Sequence, residues 1–140
     1  MIILDTNVIS ELMRPKPSPR VVAWAAKQPA AEFFTTSITE AEIFYGIELL
    51  TKSKRRKALL AAAEAMFAAD FAGRIFGFDS EAARVVSRIA AHRRAQGRPI
   101  SHADAQIAAI AQVRGAKLAT RNVADFADCG LDVIDPWNGS

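Results

Sequence analysis

Ile2-Ile3-Leu4, followed at once by Asp5, is the stretch that most restricts how this chain can fold. Three large aliphatics in a row, with no polar residue between them, suit a strand covered on both faces, the pattern of a central strand in a parallel sheet. The run stops at a carboxylate, and open α/β sheets bind ligands beyond the carboxyl ends of their strands. Asp5 therefore stands where a catalytic or metal-binding acid is expected. The competing reading is that Asp5 or Asn7 only caps the next turn.

Apolar spacing divides the rest of the chain into alternating helices and strands. A short helix over 8–13 ends at Arg14-Pro15-Lys16-Pro17-Ser18-Pro19, whose prolines cannot continue it, and a second runs over 21–28. Strands are expected at 33–36, 75–78, 117–120 and 131–134. Ser37 opens a helix whose inward face is read from Ile38, Ala41, Tyr45 and Leu49, with Glu42 at its border. The segment 52–73 reads as one long amphipathic helix that begins in a basic cluster. Asp79-Ser80 caps a helix that Gly97 stops; Ser101 opens another, with Ile107, Ala108, Ile110 and Ala111 inward and Gly115 at its end. Residues 122–127 form a short helical turn. Strands separated by helices imply parallel pairing with helices on both faces, an α/β class, and 140 residues make one domain.

The composition, 51% hydrophobic and 24% charged, is that of a folded chain with a real core. A net charge of +3 permits nucleic-acid binding without requiring it. Cys129 is the single cysteine, which excludes an internal disulfide framework and a cysteine-based zinc site and suits a reducing cytoplasm. No membrane span is expected, because the most apolar segment, 58–72, is broken by Glu64 and Asp70. The amino terminus lacks the basic flank and apolar core of a secretion signal.

Four polar positions fall where strands end or the next helices begin: Asp5, Glu42, Asp104 and the pair Asn122/Asp125. Each also fits a capping role, Thr39 with Glu42 and Ser101 with Asp104 at capping-box spacing, Asn122 with Asp125 as a cap and first-turn acid. Their shared placement favours chemistry. Carboxyl ends of parallel strands lie on one sheet edge, so these acids converge and need a cation between them. Oxygen donors select a hard ion, Mg²⁺ or Mn²⁺, which can activate a water against a phosphodiester. No phosphate-cradling glycine loop and no nucleophile elbow is present, and His92 and His102 are too few for a zinc centre. His102 reads as a surface residue. Basic residues gather as Arg14/Lys16/Arg20, Lys52 to Lys57, and Arg93/Arg94/Arg98, each a solvated face or a phosphate contact. Trp24, Phe44 and Tyr45 can stack a base but at helical spacing read as core.

With these residues in place, a family pattern is visible. Ile3-Leu4-Asp5-Thr6-Asn7-Val8-Ile9-Ser10-Glu11 resembles the opening of PIN-domain ribonucleases, specifically the VapC-type toxins and their FitB-like branch. Thr39-Glu40-Ala41-Glu42-Ile43-Phe44-Tyr45-Gly46, Asp104-Ala105-Gln106-Ile107-Ala108-Ala109 and Ala119-Thr120-Arg121-Asn122-Val123-Ala124-Asp125-Phe126 resemble the later acidic segments in order, and Asp135-Pro136-Trp137 the end of that branch. The resemblance implies an α/β/α sandwich around a parallel sheet and a Mg²⁺- or Mn²⁺-dependent endoribonuclease. It implies Asp5 and Asp104 as principal metal ligands, with Glu42 completing the cluster. Asn122 stands where some relatives carry an acid, with Asp125 one turn on as a substitute. It also implies a toxin neutralised by a cognate antitoxin, a homodimer, and a higher assembly on operator DNA through the antitoxin. Two alternatives remain open on the residues: a catalytically weak PIN module that mainly binds RNA or the antitoxin–operator complex, and a phosphatase of the haloacid dehalogenase type, which wants an acid where this chain has Asn7.

Overall fold

The computed structural model describes residues 1–139. Strands β1 (Ile2–Leu4), β2 (Phe33–Thr36), β3 (Ile75–Phe76), β4 (Lys117–Ala119) and β5 (Val133–Ile134) form one sheet in the order β3-β2-β1-β4-β5. All four pairings are parallel, and Ile2 is in register with Phe33 on one side and Lys117 on the other. The continuous aliphatic run thus occupies the middle strand, as its composition requires.

Side chains alternate along a strand, so β1 feeds two cores. Ile2 and Leu4 pack under α1 (Thr6–Leu12), α2 (Pro19–Ala26), α3 (Ser37–Glu48) and α4 (Lys54–Ala65), through Val8, Ile9, Val21, Trp24, Ile43 and Ile47. Ile3 packs on the other face under α5 (Ser80–Ala95) and α6 (His102–Arg114), through Val85, Ile89, Ile107 and Ile110. The result is the expected three-layer α/β/α sandwich. Gly97 (φ 73°) and Gly115 (φ 63°) end α5 and α6 in the left-handed conformation that a Cβ disfavours.

Five expectations are corrected. The segment 52–73 is not one helix: Ser53 Oγ accepts from Arg56 N (3.1 Å) to start α4, which widens at Met66–Asp70 into a π turn. Phe67 and Phe71 both enter the core, where Phe67 meets Phe44 at 5.5 Å between ring centroids. The inward face of α3 is Thr39, Ile43 and Ile47, while Tyr45 (65% exposed) and Leu49 (68%) point outward. The β2–α3 junction sets that rotation, because Thr36 Oγ1 caps the helix by accepting from Thr39 N (3.1 Å), which also displaces the expected Thr39–Glu42 box. Strand pairing in β3 stops at Phe76, short of the expected Phe78. Arg93 is buried (5% exposed) and does not belong to a solvated basic patch.

No helix among the described residues is long and apolar enough to cross a membrane.

Candidate functional site

Asp5 follows β1 directly and performs the capping role that the sequence allowed it. Its Oδ1 accepts from Thr6 N (2.8 Å), capping α1, and its Oδ2 accepts from the Thr120 hydroxyl (2.7 Å) at the end of β4. The carboxylate is 4% exposed, and its remaining lone pairs stay available. Asn7 braces the same corner. Its Nδ2 donates to Thr120 Oγ1 (3.3 Å), and its Oδ1 accepts from Arg121 N (3.2 Å). Strand ends of β1 and β4 are thereby tied through side chains as well as through the ladder.

Glu42 reaches the site from the first turns of α3. Thr6 Oγ1 donates to Glu42 Oε1 at 2.6 Å and lies 3.1 Å from Thr39 Oγ1. Asp104 sits in the first turn of α6, where its backbone N–H donates to Ser101 Oγ (3.2 Å), the expected cap. Together with Thr6, Asn7, Ser10, Glu11, Arg14, Arg121, Asn122 and Trp137, the three acids line one cleft of about 530 Å³. Asn122 is in that lining, though its side chain makes no cap bond; Asp125 N–H instead donates to the Asn122 carbonyl (3.0 Å). Asp125 is exposed and is not in that lining, although its charge is felt by Asp104. His102 is exposed, as expected.

Burial first, and the mutual repulsion of the acids second, raise both Asp5 and Asp104. Burial pushes the Asp5 carboxyl up from 3.8 to about 6; the Thr120 and Thr6 hydrogen bonds oppose this, while Asp104 and Glu42 add to it. Asp104 is also raised, first by burial and then by Asp125 and Glu42, against the Ser101 hydrogen bond and Arg93. Donors around these acids are carboxylate, hydroxyl and amide oxygens, a set that fits Mg²⁺ or Mn²⁺ and not a soft metal. Among the described residues no three His, Cys, Asp or Glu side chains converge to enclose an ion by themselves.

Beside the cleft, sharing Thr6, Ser10, Arg14 and Glu42 with it, runs an apolar groove of about 480 Å³ between α1, α3 and α4, floored by Met13, Ile43, Ile47, Leu50 and Leu59.

Several site residues escaped the sequence reading. Thr6, Thr120 and Asn7 carry no charge, and nothing in their spacing announces a role; adjacency to Asp5 and to the end of β4 was the only signal. Glu11 is buried and accepts from Ser18 N (2.8 Å) and from Arg14, which folds the proline segment back on α1. The Ser18 bond, then Arg14 and Arg121, hold its carboxyl below the usual range. Arg121 and Trp137 come from chain segments 16 residues apart in sequence and meet only in the fold.

The PIN domain pattern matches residues 2–129. The toxin FitB of Neisseria gonorrhoeae is 38% identical over 138 residues, 99% of each chain. The VapC ribonuclease Y4jK of Sinorhizobium fredii is 38% identical over 137 residues, 98% of each. A solved structure of FitAB bound to the IR36 DNA fragment superposes with a TM-score of 0.92 at 38% identity, covering 98% of this chain and 96% of that one. The chain belongs to the PIN-domain family, in the branch that holds the FitB and VapC toxins.

Proposed function

We propose that this protein is a Mg²⁺- or Mn²⁺-dependent endoribonuclease, the toxin of a type II toxin–antitoxin pair acting in the cytoplasm. One observation carries the reading: Asp5 is buried at the end of the central strand, raised to about 6, and shares a cleft with Asp104 and Glu42. Such a cluster is costly unless a cation joins it. Asp5 and Asp104, with Glu42 at the rim, would hold that ion, which when bound stabilises charge on the phosphodiester and lowers the proton affinity of a water. Thr120 and Thr6 fix both Asp5 oxygens. Glu42, whose Oε1 accepts from the Thr6 hydroxyl, would act on a second ion or take the proton from the attacking water as the phosphorus–oxygen ester bond breaks.

The name of the VapC relative, a ribonuclease, and of FitB, a toxin, support the substrate and the role. A cognate antitoxin fits the apolar groove, which opens at Glu42, so a segment seated there would reach the acids. A FitAB structure bound to a DNA fragment supports a similar assembly of this chain, through its antitoxin, on DNA, for which operator DNA and a toxin homodimer are the proposed form.

Asn122 favours the second reading, a weak nuclease acting mainly by binding, since a neutral amide lines the cleft where an acid would strengthen the ion site. A phosphatase is disfavoured by Asn7, whose Nδ2 donates to Thr120, a bond that an acid in its ionised form cannot make.

The test is cleavage of labelled single-stranded RNA by antitoxin-free protein, with Mg²⁺ or Mn²⁺ and with chelator, beside Asp5→Ala and a small phosphomonoester. Metal-dependent cutting of RNA, lost in the variant, is expected. Metal binding without cutting across a varied RNA panel would favour the binding module.

A further inference from the structure

Beyond the end of β4, in the lining of the same cleft, stands a cation with an aromatic support. The Arg121 guanidinium carbon lies 4.9 Å from the centroid of the Trp137 ring. Arg121 follows Thr120, the residue that holds Asp5, and its backbone N–H is fixed on Asn7 Oδ1 (3.2 Å). Trp137 is fixed too: its N–H donates to Asp135 Oδ1 (2.9 Å), Asn138 closes the same carboxylate (2.6 Å), and Arg20 Nη1 donates to its carbonyl (3.3 Å). Among the described residues no carboxylate lies within 4.0 Å of the Arg121 guanidinium. Both residues line the cleft with Asp5 and Asp104.

A guanidinium held over an indole face can present N–H groups outward, and such a pair matches two oxygens of a phosphate. An acidic cleft repels a polyanion, so a strand entering it needs a cation within the cleft lining. We infer that Arg121 binds a backbone phosphate flanking the scissile one in single-stranded RNA, and that Trp137 is the positioning residue that presents Arg121 to it. The inference rests on the ribonuclease reading above and assigns that site a substrate-binding residue.

The experiment measures binding of a labelled single-stranded RNA of mixed sequence to the full chain carrying Asp5→Asn, which suppresses cutting, across a salt series. Arg121→Ala is compared with Lys27→Ala, an exposed lysine between α2 and β2. Arg121→Ala should weaken binding about tenfold and reduce the slope of log affinity on log salt by about 0.7, the loss of one phosphate contact to a single strand. Lys27→Ala should change neither. With Asp5 intact, Arg121→Ala should raise KM about tenfold with kcat nearly unchanged, the signature of binding shared by ground and transition states. Trp137→Leu should weaken binding in the parent and add nothing on top of Arg121→Ala.

Unchanged affinity, slope and KM in Arg121→Ala, with the parent still cutting RNA, would overturn this inference alone. A Trp137→Leu loss that persists in full beside Arg121→Ala would show the ring acting on RNA directly and overturn the positioning role. A parent that neither binds nor cuts RNA would overturn the ribonuclease reading and this inference with it.

Discussion

The Thr120 hydroxyl donates to Asp5 Oδ2 at 2.7 Å across the β4–β1 strand ends, and neither group is open to solvent. A buried carboxylate held this way keeps one oxygen edge turned to the cleft and is easier to ionise than burial alone would allow. Thr120→Val removes the hydroxyl at nearly constant volume. Hydrogen bonds to charged groups contribute about 1.5–3 kcal/mol. Mn²⁺ affinity at neutral pH, read by calorimetry, is therefore expected to fall by about tenfold or more, and the acid limb of the cleavage–pH profile to move toward higher pH. A profile that stays in place would remove Thr120 from the site's proton balance.

The raised Asp5 carboxyl makes metal-free stability depend on pH. Its value is about 6 in the folded chain against an ordinary 3.8, so between these the native state binds more protons than the unfolded one. This contribution is fully present below about 4 and is lost as pH rises through about 6, amounting to roughly 3 kcal/mol. Urea denaturation in chelator should show Asp5→Asn more stable than the parent at pH 7.5, with the gap closing toward pH 4, and no RNA cleavage. Metal reverses the trend, because it binds the ionised form. Parent and variant of equal stability at pH 7.5 would contradict the burial cost assigned to Asp5.

Much of this was legible in the residues, and the gaps have physical causes. Ile2-Ile3-Leu4-Asp5 marked the central strand and its acid because burial on both faces leaves no other pattern. Asp104 and Glu42 were expected beside Asp5, and line one cleft with it, because carboxyl ends of parallel strands share an edge. The α3 face was misread because Ile38, Tyr45 and Leu49 have the same period as Thr39, Ile43 and Ile47, and only the Thr36 cap decides the rotation. Arg93 was taken for surface because a sequence does not show which cation finds carbonyls to bury against. Arg121 and Trp137 were missed as a pair because tertiary packing alone brings them together.

Asn122 lines the cleft and Asp125 does not, which separates their expected effects. Asn122→Asp adds a charged oxygen to the acid set and should tighten Mn²⁺ binding several-fold, as added ligand charge does at hard-cation sites. Asp125→Asn should leave the metal isotherm within about twofold, since an exposed charge acts on Asp104 only through screened solvent. Calorimetric titration of both variants decides between them. An unchanged isotherm in Asn122→Asp would place position 122 outside the ion's reach, and a loss of binding in Asp125→Asn would return Asp125 to the site.

Arg93 is the last test, because it reaches the cleft from behind. Its Nε donates to the Arg98 carbonyl (2.8 Å), and its Nη1 to the carbonyls of Asp125 (2.7 Å) and Ala127 (3.2 Å), with Cys129 Sγ at 3.7 Å. One buried cation thereby fastens the segment after β4, the one that carries Asn122 and packs Phe126 into the core, to the end of α5. Arg93→Met fills the space but leaves those carbonyls unpaired, at about 1–3 kcal/mol for each that water cannot reach. The variant should lose about 2–4 kcal/mol in urea denaturation. Cys129, which is buried and whose thiol burial pushes up, should become open to a thiol reagent under native conditions. If only global stability falls and Cys129 stays protected until the whole chain unfolds, Arg93 stabilises the fold at large and does not fasten that segment locally.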